Sequence, residues 1–112
     1  MATYTGIDLI AGDTRIVSVT ARDEAGDPVD LTDAAIVYLA DPPVAIEKSV
    51  GDGIAITDPP AGRFEIHFSA EDTLGIVGRT FAAHQCRLLT REEEILTAFY
   101  GIISVVHPLA AR

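Results

Sequence analysis

Short runs of β-branched and apolar residues, broken at close intervals by Gly, Pro and Asp, follow one another along the sequence. No long stretch has apolar residues at the 3.6-residue period of an amphipathic helix. In the clearest run, Arg63–Phe68, the side chains of Phe64, Ile66 and Phe68 alternate with polar ones and would share one strand face. Short strands separated by turn residues are typical of an all-β sandwich or barrel, which is the fold class that we expect.

The same alternation predicts seven to eight strands and one short helical turn. Asp23–Pro28, a polar cluster that contains Gly and Pro, is expected to form a hairpin loop after the first clear strand. Ser69 followed by Asp72 matches a helix N-cap with an acidic residue three positions later, which predicts a helical turn near Ser69–Leu74. The predicted strands, with a weak opening segment, are Thr5–Ile10, Thr14–Arg22, Ala34–Ala40, Ala45–Val50, Ile54–Thr57, Arg63–Phe68, Arg79–Leu89 and Ile95–Val106.

The length and net charge of the chain limit its number of domains and the classes of partner that it can bind. The 112 residues fit one domain, 1–112, and the formal net charge of −9 argues against nucleic acid or an anionic membrane as partner. The amino terminus shows no basic region followed by an apolar stretch, so no signal peptide is expected and synthesis in the cytoplasm is predicted. Cys86 is the only cysteine, which excludes an intramolecular disulfide.

The last predicted strand, Ile95–Val106, is apolar on both faces, whereas a strand in one layer of a sandwich normally has a polar outer face. Two explanations stay open: a β-bulge at Gly101 that changes the register, or a partner subunit that covers the outer face. The apolar residues on one face are Ile95, Phe99, Ile103 and Val105, and those on the other are Leu96, Tyr100, Ile102 and Val106. If a partner binds there, the expected contact residues are Phe99, Tyr100, Ile102 and Ile103.

Residues with catalytic or metal-binding chemistry are few. His84 and Cys86 would share a strand face, but zinc needs three or four ligands and no second such pair follows; His67 and His107 stand alone. The alternative for His84 is an imidazole hydrogen-bonded across strands beside a small apolar thiol. The sequence contains neither a GxSxG motif nor a P-loop. We therefore expect no enzyme activity, no cofactor and no metal.

An acidic run, Asp23 to Asp33, follows the predicted strand Thr14–Arg22. We interpret it as a solvated loop, with a weak calcium site as the alternative. Its spacing lacks the alternating ligands and terminal Glu of an EF-hand loop. Asp23, Glu24, Asp27 and Asp30 are the candidates for a partner-facing loop tip, and Asp33 continues the run.

The order of segments resembles the amino-terminal domain of bacteriophage baseplate upper proteins and related Ig-like modules of phage and prophage structural genes. The stretches that carry the likeness are Gly12–Thr14, Asp27–Thr32, Ile46–Val50, Gly53–Thr57, Gly62–Ile66, Ser69–Thr73, His84–Leu88 and Phe99–Val105. The resemblance implies an Ig-like antiparallel β-sandwich with a structural role in the virion, at the tail, baseplate, head–tail junction or capsid. It also implies other virion structural proteins as partners, and we expect a homo-oligomer located in the virion.

A second hypothesis fits the same pattern: a monomeric adhesion or carbohydrate-binding Ig-like module. The two hypotheses differ in how the chain behaves in solution. A virion component buries surface against copies of itself or its neighbours, whereas a monomeric module does not.

Overall fold

Nine strands lie in residues 3–76 and 78–106, the part of the chain that this computed structural model describes. A 3₁₀ turn, Pro59–Ala61, precedes β7, and one helix of a single turn, α1 (Ala70–Thr73), follows it. The strands are β1 (Thr3–Tyr4), β2 (Ile7–Ile10), β3 (Arg15–Thr20), β4 (Ala35–Ala40), β5 (Ile46–Val50), β6 (Gly53–Asp58), β7 (Arg63–Phe68), β8 (Arg79–Leu89) and β9 (Ile95–Val106).

The strands pair in the order β1-β9-β8-β4-β5-β6-β7-β3, and β2 also pairs with β9. The first layer contains β9, β8, β4 and β5, with β1 and β2 running parallel to β9 at its edge. The second layer is β6, β7 and β3, joined by antiparallel pairing. With β9-β8-β4 in one layer and β3-β7-β6 in the other, the strand order is that of an immunoglobulin-type sandwich, so the predicted all-β fold is confirmed.

The chain passes from the first layer to the second between β5 and β6. Gly51 and Gly53 have φ angles of 85° and 95°, which side-chain-bearing residues rarely adopt. Ser49 pairs with Gly53 and Val50 with Ile54 in a short parallel register, so the loop between the two strands is very tight. The two glycines therefore allow a single sheet to fold over its own core.

The core lies between the layers and is built from the inward residues of every long strand. Tyr38 on β4 and Phe64 and Ile66 on β7 are completely buried. The Tyr38 and Phe68 rings meet edge to face, with centroids 5.5 Å apart, and so join the two layers directly. Pairs of this geometry contribute about 1 kcal/mol beyond the apolar area that they bury.

Most predicted elements lie where the alternation placed them. The bounds of β7, β8 and β9 are those predicted, and α1 forms within Ser69–Leu74, where the Ser69 N–H donates to Asp72 Oδ2 at 2.7 Å. The opening segment is divided into β1 and β2. The loop at Asp23–Pro28 closes locally, since the Val29 N–H donates to the Ala21 carbonyl at 2.9 Å. Beyond it, however, β4 crosses to the other layer instead of pairing with β3.

The β-bulge in β9 lies at Ala98 and not at Gly101, where one of the two explanations placed it. Cys86 pairs with Phe99 but the next residue, Arg87, pairs with Thr97, so Ala98 is the extra residue. The bulge changes which side chains face inward, and Ile95, predicted to share a face with Phe99, is 64% exposed. Gly101 itself pairs regularly with His84 and is buried.

Neither helical segment among the described residues has the length and the apolar character that a membrane crossing requires.

Candidate protein-binding surface

The outward side of the first layer carries an unusual share of exposed apolar side chains. Of the twelve large exposed hydrophobic residues in the described part of the chain, nine belong to the strands of this layer and point away from the core. Single exposed apolar residues are ordinary, but a contiguous group of them marks an interaction site. The nine are Tyr4, Ile10, Val37, Leu39, Phe81, Leu89, Ile95, Tyr100 and Ile102.

Strand register brings several of these side chains together. Tyr100 on β9 pairs with Gln85 on β8, and Gln85 pairs with Leu39 on β4. Ile102 lies two residues from Tyr100 on the same side of β9. The Tyr4 ring on β1 meets the Tyr100 ring edge to face, with centroids 5.6 Å apart. We call the exposed side chains of Tyr4, Val37, Leu39, Tyr100 and Ile102 the central patch.

Two of the four predicted contact residues lie on this surface and two do not. Tyr100 and Ile102 are 47% and 41% exposed, and their role as contacts stays a prediction. Phe99 and Ile103 are 2% and 0% exposed, with side chains in the core, so they cannot reach a partner. Their assignment as contacts is corrected. Alternate β9 residues point to opposite faces, and beyond the bulge Phe99 and Ile103 fall on the inward one.

Sequence reasoning missed the contribution of β4 and β8 to the same surface. Val37, Leu39 and Phe81 alternate with buried residues in strands that read as ordinary half-buried segments. The signal was present on β4, whose exposed positions are all apolar, but only in part on β8, where Phe81, Ala83 and Leu89 share the outward side with two arginines and a glutamine. Only the pairing of β4 with β8 shows that these positions adjoin those of β9.

The predicted acidic loop is exposed at one end of the sandwich, where it faces the loop Thr90–Glu94 across an open groove of about 790 Å³. Asp23 Oδ1 accepts from the backbone N–H groups of Ala25 and Asp27 at 2.9 and 3.0 Å. Asp30 accepts from Thr32, and these hydrogen bonds lower the pKa of the Asp30 carboxyl. The structure thus places Asp23, Glu24, Asp27 and Asp30 on a surface loop, and their contact with a partner stays a prediction.

The described residues contain no group of three His, Cys, Asp or Glu side chains arranged to hold a metal ion. Asp23 and Asp30 instead hydrogen-bond their own loop. Of the histidines singled out from the sequence, His67 lies on the exposed side of β7 with Nε2 3.2 Å from Glu65 Oε1. His107 lies outside the described residues.

His84 belongs to a buried hydrogen-bonded chain rather than to an open pair with Cys86. Its Nε2 lies 2.7 Å from the Thr5 carbonyl oxygen, which can only accept, so Nε2 carries the proton. Nδ1 lies 2.8 Å from Tyr38 Oη and accepts its hydroxyl proton in the neutral ring. Both ring nitrogens are therefore used within the protein, and Cys86 beside them is buried, which raises the pKa of its thiol to about 12. The interpretation of His84 as a cross-strand hydrogen-bonded imidazole is confirmed.

The buried position of His84 predicts a loss of stability in mild acid. Burial lowers the pKa of the imidazole, an effect that the hydrogen bond to Thr5 partly opposes. The unfolded chain therefore takes up this proton first as the pH falls below about 6.5. Stability from the neutral imidazole is complete above that pH and falls by up to about 1.4 kcal/mol per pH unit below it. Urea denaturation between pH 7.5 and about pH 5 measures this; a flat profile would contradict it.

Comparison with known proteins gives structural likenesses alone. No family model and no curated protein matches the chain. The fold is similar to the N-terminal domain of phage TP901-1 ORF48, with 17% identity, a TM-score of 0.49, and coverage of 96% of this chain and 89% of that one. It is also similar to a sialyltransferase from Photobacterium damsela, with 11% identity, a TM-score of 0.47, and coverage of 96% of this chain but 18% of that one.

Proposed function

We propose that this chain is a structural protein of a bacteriophage or prophage virion that acts through protein–protein contacts in the tail, the baseplate or the capsid-associated parts. The observation that carries the proposal is the apolar outward side of the first layer, centred on the central patch. Exposed apolar patches of this kind on a folded domain mark sites that bind another protein. The ordered motifs from Gly12 to Val105, which resemble Ig-like phage structural modules, supply the virion context.

The proposed role is assembly rather than catalysis, with other virion structural proteins as partners and the virion as location. The negative net charge of the chain supports this role. A charge of −9 keeps unassembled subunits soluble and away from nucleic acid. Binding through a preformed sheet face also avoids the entropic cost of ordering a flexible segment on contact.

The decisive experiment is to locate the chain in a purified particle. Particles from the host that carries this gene are purified by density gradient, and their proteins are quantified by mass spectrometry. We expect the chain at a fixed ratio to the major structural proteins. Its presence in the lysate together with its absence from intact particles would contradict the proposal and favour the monomeric adhesion or carbohydrate-binding module.

A further inference from the structure

We propose that the outward side of the first layer docks a second copy of this chain, face to face in a symmetric dimer. The inference rests on the proposed function, in which the chain works through protein contacts, and it names one partner for the surface. Three properties of this surface favour a second copy: its size, its charge, and the polar groups that it carries.

The size of the surface is of the order that a dimer contact needs. Strands of this layer lie about 4.8 Å apart and rise about 3.3 Å per residue, which gives the sheet roughly 600 Å² in projection. Side chains that stand off the sheet make the accessible area larger than the projection. Stable interfaces bury about 800 Å² on each partner, so a copy would have to cover the whole of this surface, side chains included, to reach that area.

The charge of this surface differs from that of the rest of the chain. Two arginines, Arg79 and Arg87, and two carboxylates, Asp8 and Glu47, point outward from these strands, so their charges cancel. The whole chain carries a formal net charge of −9, so the excess negative charge lies elsewhere. Two strongly acidic copies repel each other least where they meet through a neutral surface.

The polar groups on the surface also suit a partner identical to itself. A two-fold contact brings the same patch from each subunit together, so the patch must be complementary to itself. Gln85 and Arg87 lie on β8, between the outward residues of β9 and those of β4. Gln85 has both a donor and acceptors, and Arg87 together with Glu47 on β5 supplies both signs of charge. The apolar residues around them would lose contact with water in the dimer.

Sedimentation equilibrium of the wild-type chain and of two matched variants tests the proposal. Ile102→Asp puts a carboxylate in the central patch, whereas Ile16→Asp makes the same change at an exposed isoleucine on β3, in the other layer. We expect a wild-type dimer, a dissociation constant raised at least about 100-fold by Ile102→Asp, and no change from Ile16→Asp. Leu39→Asp on β4 is the second variant, in case Ile102→Asp fails to fold by circular dichroism.

The dependence on salt gives an independent result. Because the contact is apolar and the subunits repel through their remaining charge, the wild-type dimer should tighten as ionic strength rises from about 0.01 to 0.15 M. A wild-type chain that stays monomeric up to about 1 mM overturns the proposal, as does equal weakening by both isoleucine variants. Association that salt weakens also overturns it. The location of the chain in particles is a separate measurement. A chain that does not dimerise can still be a virion protein, and a chain that is absent from particles can still dimerise.

Discussion

Replacing Gly101 by alanine is expected to lower the free energy of unfolding by about 3 kcal/mol, because the added methyl group has no space. Gly101 on β9 is paired with His84, and a β-carbon there would overlap the carbonyl oxygen of Thr5 and lie 2.9 Å from its carbonyl carbon. Thr5 lies between β1 and β2, and its N–H donates to the Tyr100 carbonyl at 2.8 Å. The methyl group would therefore push the opening segment away from β9.

The movement of Thr5 has two further costs. The hydrogen bond from His84 Nε2 to the Thr5 carbonyl would be broken, and a buried donor left without a partner costs about 1–3 kcal/mol. Ile7 and Leu9, which β2 buries against the core, would become partly exposed. Hydrogen exchange should therefore show weaker protection of β2 in the variant, beyond the change in overall stability.

Gly6→Ala is the matched control for this substitution. Gly6 lies in the same opening segment, but a β-carbon there meets only the Ile102 carbonyl oxygen, at an ordinary 3.7 Å. Alanine at a position with compatible backbone angles stabilises a protein by about 0.4–1 kcal/mol through the unfolded state. We expect opposite signs for the two variants in urea denaturation. A Gly101→Ala protein within 1 kcal/mol of the wild type would show that the opening segment does not lie where the structure places it.

Gly101 also illustrates which features local sequence pattern predicts. Alternation predicted the bounds of β7, β8 and β9, because the period of two is a property of each strand alone. A glycine within a strand indicates either a bulge or a close backbone approach, and the sequence gives no means of choosing. The correct choice depends on Thr5, which is 96 positions away. The bulge at Ala98 has no signal of its own, since alanine is compatible with either register.

The residues of the candidate surface could likewise be predicted from the sequence only in part. Tyr100 and Ile102 followed from the doubly apolar pattern of β9, but the pattern could not show which of its two faces is inward. The position of the bulge decides that question, and it excludes Phe99 and Ile103 from the surface. The contributions of Val37 and Leu39 depend on β4 pairing with β8, where their partners Arg87 and Gln85 lie 50 and 46 positions further along the chain.

The second large effect is expected from His84→Leu, which should cost about 3 kcal/mol although leucine fills a similar volume. His84 joins Tyr38 on β4 to the Thr5 carbonyl of the opening segment; Tyr38 and His84 are shielded from solvent, and Thr5 is half-buried. Leucine would leave the buried Tyr38 hydroxyl without a partner, and the half-buried Thr5 carbonyl would lose its bond to His84. Burial already raises the pKa of Tyr38, so the hydroxyl cannot relieve its position by ionising.

A double-mutant cycle separates the hydrogen bond from the loss of packing. Tyr38→Phe alone leaves Nδ1 of His84 without a donor and should cost about 1–2 kcal/mol. In the His84→Leu background the same change removes an orphaned hydroxyl, so its cost should vanish or reverse. We expect a coupling energy of at least about 1 kcal/mol, measured by urea denaturation of the four proteins. Additive costs would mean that the two side chains do not interact.

The pH profile of His84→Leu provides the last check on this chain of hydrogen bonds. A neutral buried imidazole makes the wild type lose stability as the pH falls below about 6.5, because the unfolded state takes up a proton that the folded state resists. His84→Leu removes that group from both states, so the difference between wild type and variant should be constant above pH 6.5 and shrink below it. If the difference between wild type and His84→Leu stays constant below pH 6.5, the loss of stability does not come from His84, and His84 is not held neutral between Tyr38 and Thr5.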